Sequence, residues 1–125
     1  MQDRYRSISL PTPSEEEAVQ VEDAFMKKVQ GLMEAHLGDE NFGIPDLCQA
    51  FHMSRAQLYR KFNALTGQPI GQYLRSFRLH RARKLLEHTD LNISEIAFKT
   101  GYKDPAYFTR SFKREFGINP IDLRQ

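Results

Sequence analysis

The sequence predicts an all-α protein in which two helix-turn-helix units are joined by one long linking helix. Three observations lead there. First, Pro69 to His88 is an unbroken helical pattern, with Ile70, Tyr73, Leu74, Phe77, Ala82, Leu85 and Leu86 at helical spacing. Second, the chain repeats around it. Ile44, Asp46, Leu47 and Cys48 match Ile93, Glu95, Ile96 and Ala97 at an offset of 49, and Leu58, Arg60, Phe62 and Gly67 match Phe108, Arg110, Phe112 and Gly117 at an offset of 50. Such self-similarity marks a duplicated supersecondary unit, with one residue added in the second turn. Third, helix start and stop signals recur in the same order in both copies.

The elements follow in chain order. Residues 1–19 read as a leader: Pro11, Pro13 and Ser14 run into Glu15, Glu16 and Glu17, with turn formers and charge but little to bury. Ser14 with Glu17 fits a capping box, so a helix can begin there. The firmer pattern is Val21, Phe25, Val29, Leu32, Met33 and Leu37, which predicts a helix over about 20–37 stopped by Gly38. Ile44–Phe51 then forms a short helix with Pro45 in its first turn, and His52-Met53 is the turn. Ser54 and Gln57 make a capping box for a helix running to Leu65, with Gly67 as its stop. Pro69 suits the first turn of the linking helix, whose rise of roughly 30 Å approaches the ~34 Å of one DNA turn. In the second copy Asn92 and Glu95 cap the short helix Ile93–Thr100, and Gly101-Tyr102-Lys103 is the turn. Asp104-Pro105 opens a helix to about Phe116, Gly117 ends it, and Asn119-Pro120 begins a last short piece. The domain is therefore taken as 20–125, divided into 20–67, the linker 68–88, and 89–125.

The charge balance is uneven along the chain. Residues 1–50 carry 4 Lys/Arg against 10 Asp/Glu, whereas residues 51–125 carry 14 against 6. A basic body behind an acidic leader suits a polyanion partner. No run approaches the ~18 apolar residues of a membrane span, so no membrane contact is expected of this segment. The first residues lack the apolar core of a signal peptide. Cys48 is the one cysteine, so no intrachain disulfide can form and a cytoplasmic setting is expected.

The two second helices show matching outward faces. With Leu58, Phe62 and Leu65 inward, Ala56, Arg60 and Asn63 point out, with Tyr59 beside them. With Phe108 and Phe112 inward, Ala106, Arg110 and Lys113 point out, flanked by Thr109. Each set starts with a small residue near the helix N-terminus and has an Arg one turn later. A small side chain permits close approach to a major groove, where Arg can bond guanine O6 and N7. Capped N-termini at Ser54 and Gln57, and at Asp104, offer amides to phosphates. Arg55, Lys61, Lys103 and Arg114 lie where backbone contacts belong.

Residues from about 44 to 124 resemble the DNA-binding domain of the AraC/XylS family of bacterial transcription regulators. The resemblance rests on Met53-Ser54 with Leu58 through Phe62, Thr66-Gly67, Arg78 through Ala82, and Leu85-Leu86. The second half adds Ile93 through Ala97, Gly101-Tyr102, Tyr107 through Phe112, Phe116-Gly117 and Pro120. It implies seven helices, with homeodomain-like units in successive major grooves. It implies base reading by Ala56, Tyr59, Arg60, Ala106, Tyr107 and Arg110; on a helical wheel Tyr107 falls to the side. Phosphate contacts are assigned to Ser54, Arg55, Gln57, Lys61, Asn63, Lys103, Thr109, Lys113 and Arg114. Two departures, Cys48 for the usual Ala and Leu123 for a common aromatic, lie off the reading face. The segment with Phe25, Asn41-Phe42-Gly43 and Leu58 through Lys61 resembles output domains of two-component response regulators or hybrid sensor kinases. The implied partners are double-stranded DNA, RNA polymerase, and a second copy in a full-length homodimer.

Enzymatic chemistry finds no motif. Cys48 and His52 stand one helical turn apart, but Cys48 adjoins Leu47 and Phe51 as a small packing residue. His36, His80 and His88 make no ligand spacing with them, so no metal or cofactor is expected. There is neither a phosphate-cradling Gly loop nor a Ser nucleophile motif. Arg75, Arg78 and Arg81 share a stripe on the linking helix, where arginines commonly snorkel or pair with acids such as Glu87; the resemblance makes Arg78 structural. The rival reading is a helical protein-interaction module anchored by Tyr59, Tyr73, Tyr102 and Tyr107.

Overall fold

A computed structural model describes residues 15–125, with side chains from residue 22 onward. The proposed cap Ser14 and most of the 1–19 leader lie outside the described residues. The described chain is helical throughout: α1 Glu15–Ala35, α2 Ile44–Phe51, α3 Arg55–Thr66, α4 Ile70–His88, α5 Ile93–Lys99, α6 Pro105–Phe116 and α7 Pro120–Arg124. Two compact units divide after Gly31, within α1. In the first, Phe25 and Val29 are buried.

Most boundaries sit where local signals put them. Ser54 Oγ accepts from the Gln57 amide at 3.1 Å, and Gln57 Oε1 accepts from the Ser54 amide at 2.9 Å. Asn92 and Glu95 exchange the same pair of bonds, both 2.8 Å. Such reciprocal caps satisfy amides that the helix itself leaves open, each worth about 1 kcal/mol. Gly67 and Gly117 close α3 and α6 at φ 74° and 76°, the left-handed region open to glycine without a Cβ penalty.

Five boundaries differ from expectation. α1 starts at Glu15 rather than about 20, and it stops at Ala35 instead of Leu37. Past Ala35 the chain turns away, bringing His36 onto Phe42 as stacked rings 4.4 Å apart, and the Leu37 carbonyl leaves the helix to meet Arg78. Pro69 is the extended cap of α4 rather than its first helical residue. α3 gains Thr66, whose hydroxyl donates back to the Phe62 carbonyl at 2.8 Å. α5 ends at Lys99, with Thr100 as its cap.

The second unit, 32–125, is built along α4. Its first half buries Met33, Leu47, Leu58, Phe62, Ile70 and Leu74, with the Phe62 and Tyr73 rings 5.0 Å apart. The second half buries Leu79, Ala82, Leu86, Ile96, Ala97, Tyr102, Phe108 and Phe112 in one cluster. Removing each such large side chain from water is worth about 1.5–3 kcal/mol, so the aromatic ladder Tyr102, Phe108, Phe112 and Phe116 anchors α6. Ser76 of α4 donates to Glu115 of α6 at 2.9 Å and fastens the far end of that helix.

The arginine stripe of α4 is not a surface patch. Arg75 is exposed, Arg78 is buried, and Arg81 is half-buried, paired with Glu34 and lying 5.0 Å over the Phe77 ring. Arg83 pairs with Glu87 at 3.3 Å. Arg78 donates to the carbonyls of Leu37 (2.5 Å), Thr100 (3.0 Å), Asp39 (3.1 Å) and Phe42 (3.1 Å). Burial pushes its pKa down, while Tyr102 and Asp39 act in the opposite direction. Four carbonyl dipoles thus replace the water that this cation gives up.

Candidate nucleic-acid interface

The candidate interface is built from the outer faces of α3 and α6. Each helix is fixed by the opposite face, Leu58 and Phe62 in α3 and Phe108 and Phe112 in α6, all fully buried. Those anchors leave Ala56, Arg60 and Asn63 exposed on α3, and Ala106, Arg110 and Lys113 exposed on α6. Tyr59 and Tyr107 are 45% and 44% exposed, closely matched although the wheel placed only Tyr59 beside the outward set. Tyr107 stays with the outward face because Arg110 lies over its ring at 5.8 Å. On α3 a different Arg–Tyr contact forms, with Arg55 Nη1 donating to the Tyr59 hydroxyl at 3.4 Å.

The assigned phosphate-binding residues divide into two groups. Ser54, Arg55, Gln57, Asn63, Lys113 and Arg114 are exposed, whereas Lys61 and Thr109 are half-buried. Ser54 and Gln57 are engaged with each other's amides in the cap. Lys103 is exposed and sits 3.2 Å from Glu40. Asp104 caps α6 through the Ala106 amide at 3.0 Å. With no acidic residue on α3 and one, Glu115, on α6, both faces are electrically suited to a polyanion.

The start of α4 joins the α3 face, which the sequence does not anticipate. A cleft beside α3 is lined by Tyr59, Arg60 and Asn63 together with Pro69, Gln72 and Arg75 from the start of α4. The one sign of it in the sequence is Arg75, which shares the arginine stripe with Arg78 and Arg81. The protein-interaction reading loses two of its anchors: Tyr102 is buried and Tyr73 half-buried, each packed at an angle against another aromatic ring. Burial pushes the Tyr102 pKa up to about 12, aided by Tyr107 and opposed by Arg78.

Cys48 is half-buried and His52 exposed. Among the described residues no group of three His, Cys, Asp or Glu side chains could hold a metal ion. Among them, too, no helix is long and apolar enough to cross a membrane.

Comparison with known proteins places this geometry in a family. A family profile described as a helix-turn-helix domain matches residues 47–125. Histidine kinase P4 of Formosa agariphila is 32% identical over 109 residues, covering 87% of this chain but 8% of that protein. The C-terminal domain of the two-component response regulator yesN from Fusobacterium nucleatum superposes with a TM-score of 0.75 at 30% identity, covering 80% of this chain and 97% of that one. The DNA-binding domain of AdpA, described as a global transcriptional factor and solved with a target DNA, gives a TM-score of 0.72 at 31% identity, covering 78% and 87%. The duplicated helix-turn-helix units, their order around α4 and these matches together establish that the chain belongs to the AraC/XylS family of transcription regulators, as a DNA-binding domain of that family.

Proposed function

We propose that residues 20–125 bind double-stranded DNA sequence-specifically, with α3 and α6 in successive major grooves, and regulate bacterial transcription. The single observation that carries this reading is the matched pair of exposed faces. Ala56, Tyr59 and Arg60 on one unit, and Ala106, Tyr107 and Arg110 on the other, stand outward on helices whose opposite faces are wholly buried. These six read bases: the alanines allow close approach, the tyrosines contact base edges and sugars, and Arg60 and Arg110 bond guanines. Ser54, Arg55, Gln57, Lys61, Asn63, Lys103, Thr109, Lys113 and Arg114 hold the phosphate backbone and set register.

The kinase and response-regulator relatives support a cytoplasmic output module of a two-component protein. In the full-length regulator a homodimer brings two such domains to the promoter, with RNA polymerase as the further partner. No enzymatic step is assigned to this domain.

Selection of bound sequences from a random duplex pool, at stated salt, tests the reading. The expected outcome is a bipartite site with two conserved blocks about one helical turn apart. Affinity for unrelated duplex should be weaker and fall steeply with salt. Recovery of no preferred sequence, with a shallow salt dependence, would favour the protein-interaction reading.

A further inference from the structure

Arg78 and Arg124 make the same kind of contact, with accepting carbonyls one repeat apart. Arg78 takes the carbonyls of Leu37, Asp39 and Phe42, in the loop before α2. Arg124 of α7 takes those of Leu86 (3.2 Å), Thr89 (3.0 Å) and Leu91, before α5. Leu86 and Leu91 follow Leu37 and Phe42 by 49 positions, the offset of the repeat itself. In both units, then, an arginine on the helix after the recognition helix grips carbonyls of the chain just before the first helix.

One bond breaks the equivalence. Arg78 also donates to the Thr100 carbonyl at 3.0 Å, in the turn of the other unit. The surroundings are shaped for that crossing. Gly101 has φ 88°, and a Cβ there would lie 1.8 Å from Arg78 Nη1 and 2.7 Å from the Leu37 oxygen. Gly38 is close enough that a Cβ would touch the Lys99 oxygen at 3.6 Å. Glu40 and Lys103 close the rim at 3.2 Å. The loop 37–42 and the turn 99–103 therefore meet with one guanidinium between them.

We propose that Arg78 is the joint that fixes the second helix-turn-helix unit against the first, and thereby the spacing and phase at which the two recognition helices meet DNA. It is a positioning residue. At 8% exposure, with its guanidinium held by four carbonyls, it has little to offer a phosphate. Arginine suits the task because its planar fork directs five donors at fixed angles, whereas lysine presents a point charge with three. The consequence for DNA rests on the two-reader function proposed above; the joint itself does not.

The experiment compares Arg78→Lys with Arg124→Lys, which loosens an equivalent grip without the crossing bond. Spin labels at Ala64→Cys on α3 and Ser94→Cys on α5, both exposed positions, in a Cys48→Ala background, report the distance between units. Measured well below each thermal midpoint, the distance distribution should broaden in Arg78→Lys and stay as narrow as the parent in Arg124→Lys. Equal widths in the two variants would overturn the proposal. On the selected duplex, one base pair added between the half-sites should weaken the parent on the order of ten-fold, the scale of a lost base contact. Arg78→Lys should discriminate less between the two duplexes. If no chain prefers any duplex, the two-reader function fails while the distance measurement still decides the joint. Should Arg78→Lys not fold, hydrogen exchange of the unaltered chain decides: amides of α2–α3 and α5–α6 opening together support the joint, and independent opening of the second core overturns it.

Discussion

His52 and Gly101 occupy equivalent places in the two turns, 49 residues apart, and both have left-handed backbone, at φ 55° and 88°. Only one is glycine, and the structure gives the reason. His52 is exposed, whereas Gly101 lies under the Arg78 guanidinium. A left-handed non-glycine residue costs roughly 1–2 kcal/mol. His52→Gly should therefore stabilise the chain by about 1 kcal/mol in urea unfolding. Gly101→Ala should destabilise it by more than that cost, because the added Cβ displaces Arg78 from its carbonyls. Similar effects at both positions would mean that the close approach at Gly101 is not limiting.

Arg60→Ala and Arg110→Ala should each cost about 1–3 kcal/mol on the best duplex and relax preference in one half-site alone. Both side chains are exposed, so thermal midpoints should hardly move. Equal loss on specific and unrelated DNA, read by gel shift at fixed salt, would reassign these arginines to phosphate.

Tyr102 makes stability depend on pH at the alkaline end. Its folded pKa, about 12, lies above the ordinary 10.0. The folded chain thus keeps a proton that the unfolded chain releases. The stabilisation is complete below pH 10 and is lost as pH rises from 10 toward 12. Thermal melts should show the parent falling faster than Tyr102→Phe across that window, since phenylalanine has no proton to lose. Parallel decline of both chains would refute the role given to Tyr102.

The 19 residues of α4 rise about 28 Å, and if α4 is a ruler between the two proposed readers, the half-sites must keep a fixed spacing. Inserting ~5 base pairs between the half-sites puts the second half on the opposite face of the duplex. Inserting ~10 restores the face but moves the half-site a further ~34 Å, beyond the reach of a stiff helix. Both insertions should reduce binding to what one half-site supports. Full-strength binding to the longer site would leave two independent readers on a flexible tether.

Much of the fold was legible because its signals are local. Ser54 with Gln57, and Asn92 with Glu95, close their caps within three residues. Gly67 and Gly117 stop their helices through their own backbone freedom. The buried faces of α3 and α6 followed from Leu58, Phe62, Phe108 and Phe112, since spacing along a helix fixes side-chain direction. Tertiary structure decided the rest. The wheel could not seat Tyr107, whose exposed ring sits beneath Arg110. The sequence alone allows Tyr102 as a surface anchor, but the turn folds it against Phe108. The C-terminal end of α1 falls two residues before the expected Leu37, whose carbonyl goes to Arg78, 41 positions away. Every residue carries a carbonyl, so no letter of the sequence marks the four that meet one guanidinium; only the path of the whole chain brings them together.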